Sequence, residues 1–128
     1  MDHLNLLQDK VATRHKVQLV PEEAASGIVR EAGEYFHHVA SWLYDEKPYN
    51  EGEAIVELSD VLHYVLEACR DHGITMDELA RVNLLKLAAR DKGEGRVFER
   101  VMQGYNKAQL PLAEVLDDFD AAITVVSR

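Results

Sequence analysis

Apolar residues recur at helical spacing through most of this sequence, and few residues are present that would stop a helix. Only three prolines and seven glycines interrupt 128 residues. At about 100° per residue, Ile28, Ala32, Tyr35, Phe36, Val39, Ala40 and Leu43 fall on one arc of a helix. Ile55, Leu58, Val61, Leu62, Val65, Leu66, Ala68 and Cys69 do the same further on. Between them, Tyr44-Asp45-Glu46-Lys47-Pro48-Tyr49-Asn50 reads as a polar connector. A connector that short predicts an antiparallel helical hairpin.

The remaining punctuation gives an all-α expectation. A first short helix is predicted over about residues 3–14, with Leu4, Leu7 and Val11 on one side. Val20-Pro21-Glu22-Glu23 reads as a helix start, with proline and acids in the first turn, and that helix runs to about Leu43. A third helix covers about Glu51 to Asp71 and stops near Gly73. Thr75 and Glu78 form a capping box that opens a fourth helix, ending near Asp91. Gly93-Glu94-Gly95 breaks the chain, and Phe98, Val101 and Met102 lie on a short helix. Pro111 opens a last amphipathic helix holding Leu112, Val115, Leu116, Phe119 and Ile123. Nothing reads as a strand. The length suits a single domain over 1–128, with a core of about 20–96 and a helical extension over 97–128.

Composition narrows the function classes. The net charge of −9 argues against broad binding to nucleic-acid backbone or an anionic membrane. It leaves room for a phosphate-bearing small molecule, because a carboxylate cluster can hold one through a divalent cation. No apolar run approaches the roughly 20 residues of a membrane span. The start, Met1-Asp2-His3-Leu4, shows no basic region followed by an apolar block, so a cytoplasmic chain is expected. Cys69 stands alone on an apolar helical face, which points to a packing role.

Two matching acid pairs carry the chemistry. Glu31-Ala32-Gly33-Glu34 and Glu57-Leu58-Ser59-Asp60 each set two acids at i and i+3, neighbours on a helix surface. In a chain with 23 Asp and Glu, one such pair is commonly a solvated face. Here both sit at the border of an apolar arc, Glu31 and Glu57 at its edge and Glu34 and Asp60 just beyond. The expected hairpin sets the pairs at similar depth. Carboxylates converging at a core edge repel unless a positive charge lies between them. An oxygen-only ligand set suits a hard cation, Mg²⁺ or Mn²⁺, which also binds substrate phosphates.

Glu31-x-x-Glu34, then 22 residues, then Glu57-x-x-Asp60 resembles the ExxE…ExxD signature of MazG-like all-α nucleotide pyrophosphohydrolases. That superfamily includes dimeric dUTPases, dCTP pyrophosphatases and phosphoribosyl-ATP pyrophosphohydrolase. Glu57-Leu-Ser-Asp60-Val-Leu-His-Tyr64 is close to the family's second metal motif, and Asn83-Leu-Leu-Lys86 resembles its asparagine–lysine motif on the following helix. The resemblance covers about residues 20–96. It implies hydrolysis of an NTP or dNTP to the monophosphate and pyrophosphate, with Mg²⁺ at Glu31, Glu34, Glu57 and Asp60. It also implies a homodimer or homotetramer of helical hairpins. Two departures stand out: Arg30 precedes the first motif where many members carry a glutamate, and the segment after Arg90 is longer than in minimal members.

Around the four carboxylates, Asn83, Lys86 and Arg90 share a polar, cationic stripe suited to the β- and γ-phosphates; a solvated basic stripe would look the same. Tyr64 and His38 are candidates to bind substrate or orient a carboxylate, with half-buried structural roles as the alternative. Glu34 is the candidate to orient or deprotonate the attacking water. Trp42 and Tyr44 could stack on a base at the hairpin end, or Trp42 could serve a core or subunit interface. His37, His63 and Glu67 lie further from the apolar arcs, or further along the helix, and stay outside the candidate site. Three other readings compete. Glu34-x-x-His37 and Asp60-x-x-His63 echo di-iron carboxylate bundles. A non-enzymatic helical interaction module would keep the fold without the chemistry. Phosphoribosyl-ATP is an alternative substrate within the enzyme class.

Overall fold

The computed structural model describes residues 2–14, 21–108 and 110–126; Val20 and the side chain of Ile123 lie outside the described residues. The described residues form six helices and no strand. These are α1 (His3–Arg14), α2 (Pro21–Tyr44), α3 (Glu51–Asp71), α4 (Met76–Asp91), α5 (Gly95–Ala108) and α6 (Leu112–Val126). None is long and apolar enough to cross a membrane. The chain divides into two compact units, Met1–Gly73 and Ile74–Arg128.

In the first unit, α2 and α3 form the expected hairpin, and α1 lies against α3. The connector obeys local rules. The Ser41 carbonyl accepts from the Asp45 and Lys47 amides at 3.1 and 3.2 Å. Glu46 between them takes φ 57°, a left-handed conformation that disfavours residues with a Cβ. Asn50 then caps α3, its side chain accepting from the Glu53 amide at 3.1 Å. At the far end, Gly73 at φ 66° lets the chain leave α3.

The face that buries between α2 and α3 is not the arc of large apolar residues. Ala24 and Gly27 on α2 and Ala54 on α3 are buried, and a Cβ on Gly27 would run into the Tyr64 ring. Phe36, Leu43, Ile55 and Leu58, expected on core arcs, are 50–64% exposed. The spacing identified residues that share a face, but small residues and polar side chains won the hairpin seam because they permit close approach. Glu67, expected further from the apolar arc or further along the helix, is buried at 4%, with its carboxylate 3.0 Å from His63 Nε2. Cys69 is buried as expected, and desolvation pushes its thiol pKa up.

The second unit has a more ordinary core. Leu85 and Ala89 of α4, Phe98 of α5, and Leu112, Leu116 and Phe119 of α6 pack together, with Phe98 and Phe119 edge-on at 5.5 Å. The Thr75–Glu78 capping box forms as predicted, with the Glu78 amide donating to Thr75 Oγ1 at 3.1 Å and the Thr75 amide to Glu78 Oε1 at 3.0 Å. α5 is longer than the short helix expected around Phe98–Met102, because no helix-stopping residue follows until Pro111 and Gly104 is tolerated inside it. Arg81 reaches across to Asp117 and Asp120 of α6 at 2.6 and 3.5 Å.

Leu116 is fully enclosed, so Leu116→Ala removes packing that the site cannot refill. It is expected to lower the unfolding free energy by about 3 kcal/mol, and Thr75→Ala by about 1 kcal/mol. Urea denaturation of both variants against the parent measures these losses.

Candidate metal centre

The hairpin seam brings carboxylates from both helices together. One oxygen each from Glu31, Glu57 and Asp60 lies within 4.8 Å of the others. Glu31 is one turn after Gly27, and Glu57 is three residues after Ala54, so the small residues of the seam set the acids facing each other. The Glu31 and Glu57 side chains are only 13% and 20% exposed. Burial raises the Glu57 carboxyl pKa, and its hydrogen bond to Glu34 and the charges of Glu34 and Glu31 raise it further. Glu34 is therefore a neighbour of Glu57, exposed, at the margin of the three-oxygen group. Three carboxylate oxygens with no nitrogen or sulfur donor in the group suit a hard divalent cation.

Two predicted residues border the acids in new ways. His38 faces α3: its Nδ1 lies 3.8 Å from Glu53 and its Nε2 3.9 Å from Glu57. Glu53 was missed, although it sits one turn before Glu57 on the same helix face. The Tyr64 hydroxyl accepts from Arg30 Nη2 at 2.8 Å, and Arg30 Nε lies 3.4 Å from Glu31 Oε1. Arg30 thus stands beside the carboxylates, where sequence reading saw only a departure from a motif. Gly27 was missed as well; a glycine one turn before a candidate ligand was the available signal of close helix approach.

At the hairpin end, an open cavity of about 610 Å³ is lined by His37, His38, Ser41, Lys47, Tyr49 and Asn50, among others. His38 belongs both to this cavity and to the rim of the carboxylate group. Trp42, half exposed, packs on Tyr49 at 5.3 Å, and Tyr44 is 76% exposed. The histidines of the di-iron-like pattern do not join the acids: His63 is paired with Glu67, and His37 is exposed with its ring 6.1 Å from that of His38. Asn83, Lys86 and Arg90 belong to the second unit and are exposed on α4.

No family model, curated protein or solved structure matches this chain.

The raised Glu57 pKa has a stability consequence. A carboxyl that holds its proton more tightly in the fold than in the unfolded chain favours folding at low pH. That contribution is lost as pH rises from the unfolded-state value through the folded-state one. Above this window the ionised carboxylates oppose the hairpin. The melting temperature of the metal-free parent should therefore fall with rising pH more steeply than that of Glu57→Gln. Thermal melts across a pH series test this, and parallel curves would remove the repulsion argument.

Proposed function

We propose that this protein is a Mg²⁺-dependent nucleotide pyrophosphohydrolase of the MazG-like kind, cleaving an NTP or dNTP to the monophosphate and pyrophosphate. The observation that carries the reading is the approach of Glu31, Glu57 and Asp60 oxygens to within 4.8 Å across two helices. Three carboxylates grouped this closely would hold one hard divalent cation such as Mg²⁺. Mn²⁺ fits the same donors. A bound divalent ion supplies Lewis acidity at the α-phosphate and a water acidic enough to ionise near neutral pH.

The protein's own groups have separable tasks in this scheme. Glu31, Glu57 and Asp60 hold the cation. Glu34, beside Glu57 and open to solvent, takes the proton of the water that attacks the α-phosphorus. The bond between the α-phosphorus and its bridging oxygen breaks, and pyrophosphate leaves. The adjoining cavity has the size and the ring-bearing lining for a nucleoside, with Tyr49 and His37 among its walls.

A second copy completes the assembly in this reading. Val29, Phe36 and Leu43 recur at seven-residue steps along α2 and are 72, 64 and 54% exposed. Ile55, Val56 and Leu58 are similarly open on α3. A stripe of this kind is uncommon on a monomer and suits a self-complementary contact.

Pyrophosphate release measured over a panel of NTPs, dNTPs and phosphoribosyl-ATP, with and without Mg²⁺, tests the activity. Glu34→Gln and Asp60→Asn should each lower kcat by about 100-fold or more. Equal turnover by all three proteins would end the mechanism. Phe36→Asp should shift sedimentation toward a monomer; a parent that already sediments as a monomer would end the assembly proposal.

A further inference from the structure

We propose that Arg30 is a built-in cation of this site: its guanidinium binds a phosphate of the substrate, so that the carboxylates hold one divalent ion per chain and not two. The inference rests on the pyrophosphohydrolase reading and specifies how that site divides its positive charge between protein and metal.

The guanidinium is fixed on two sides. Its Nη2 donates to the Tyr64 hydroxyl at 2.8 Å, and its Nε lies 3.4 Å from Glu31 Oε1. Its central carbon stands 5.3 Å from the Tyr64 ring centroid. Tyr64 is itself held in place, because its ring lies against Gly27 where even a Cβ would overlap it. Arg30 is therefore positioned by the hairpin seam itself, through Tyr64, and not by a freely rotating surface contact.

The fixed guanidinium still has binding capacity. Arginine carries five N–H donors in a planar fork. The contacts to Tyr64 and Glu31 use Nε and one Nη2 hydrogen, and the other donors have no partner among the described residues. The side chain is 55% exposed, so a solute can reach it. A pair of free N–H groups beside a cation-binding cluster matches the geometry by which arginine takes phosphate oxygens.

Charge balance sets the ion count. Glu31, Glu57 and Asp60 contribute three negative charges, Glu34 beside Glu57 adds a fourth, and Arg30, in contact with Glu31, offsets one of them. One divalent ion offsets two more, and the single negative charge that remains is too little to draw in a second divalent ion. A second ion at the same cluster would meet the guanidinium as a like charge at close range.

Removing Arg30 should then move two affinities in opposite directions. Mn²⁺ binding by calorimetry on the full chain is expected to give one ion per chain. Arg30→Ala should bind that ion about 3–10-fold more tightly, since a partly solvent-screened like charge is gone. The same variant should bind pyrophosphate, with Mn²⁺ saturating, about 10-fold more weakly, because a charge-assisted fork is lost. Arg30→Lys keeps the charge and loses the fork, so its Mn²⁺ affinity should match the parent while its pyrophosphate affinity falls about 3–10-fold. Arg30→Glu should admit a second ion. Two ions bound by the parent, or unchanged pyrophosphate affinity in Arg30→Ala and Arg30→Lys, would overturn the proposal and leave the cation-site reading standing. Undiminished Mn²⁺ affinity in Glu57→Gln would instead remove the cation site, and this inference with it.

Discussion

Close approach of α2 and α3 is the constraint on which the candidate site depends. Ala24, Gly27 and Ala54 supply little side-chain bulk at the seam, and the Tyr64 ring occupies space that only glycine leaves open. Helices that meet through small residues come nearer than the usual 8–10 Å range implies for larger ones. Side chains beside such a seam are forced together whatever their charge. Here those side chains are carboxylates, with Glu57 driven toward its protonated form by burial and by Glu34 and Glu31. The hairpin therefore sets like charges against one another at the place where a cation would relieve them.

The helices were legible in the sequence, largely because their ends are chemically marked. Pro21, Asn50, Thr75 with Glu78, Gly73 and Gly93 each act within one turn, so no tertiary knowledge is needed to read them. The α5 boundary was less legible since nothing at Met102 stops a helix. What periodicity could not supply was the identity of the packing partner. Phe36, Leu43, Ile55 and Leu58 share faces as predicted, yet the faces that meet are those of Gly27, Glu31 and His38 on one helix and Ala54, Glu57 and Tyr64 on the other. A helix with an apolar side and a small-polar side offers two plausible interfaces, and hydrophobicity alone ranks them in the wrong order here.

The same distinction separates what spacing could and could not bring together. Glu31, Glu57 and Asp60 were candidates from the sequence because i,i+3 geometry is local to each helix, and their oxygens lie within 4.8 Å of one another. The partners of His38 could not be read that way, because Glu53 and Glu57 reach it only after the two helices dock. Arg30 lies next to Glu31 in the chain, but its use of Tyr64 as a support joins residues 34 positions apart. Glu67 with His63 repeats the pattern on another side of α3: the burial of that carboxylate depends on tertiary packing that no single-helix projection contains. Asn83, Lys86 and Arg90 are exposed on α4, where a phosphate-binding stripe and a merely solvated one look alike.

Helix α2 thus carries two demands on separate sides. Gly27, Glu31 and His38 face α3, while Val29, Phe36 and Leu43 run along a stripe roughly 140–160° away around the helix. Because the sides are separate, a substitution on the stripe can alter that exposed surface without touching the carboxylates, and one on the seam can alter the carboxylates without changing the stripe. Coupling between them would have to pass through the position of α2 itself, and Gly27 against Tyr64 leaves that position little freedom.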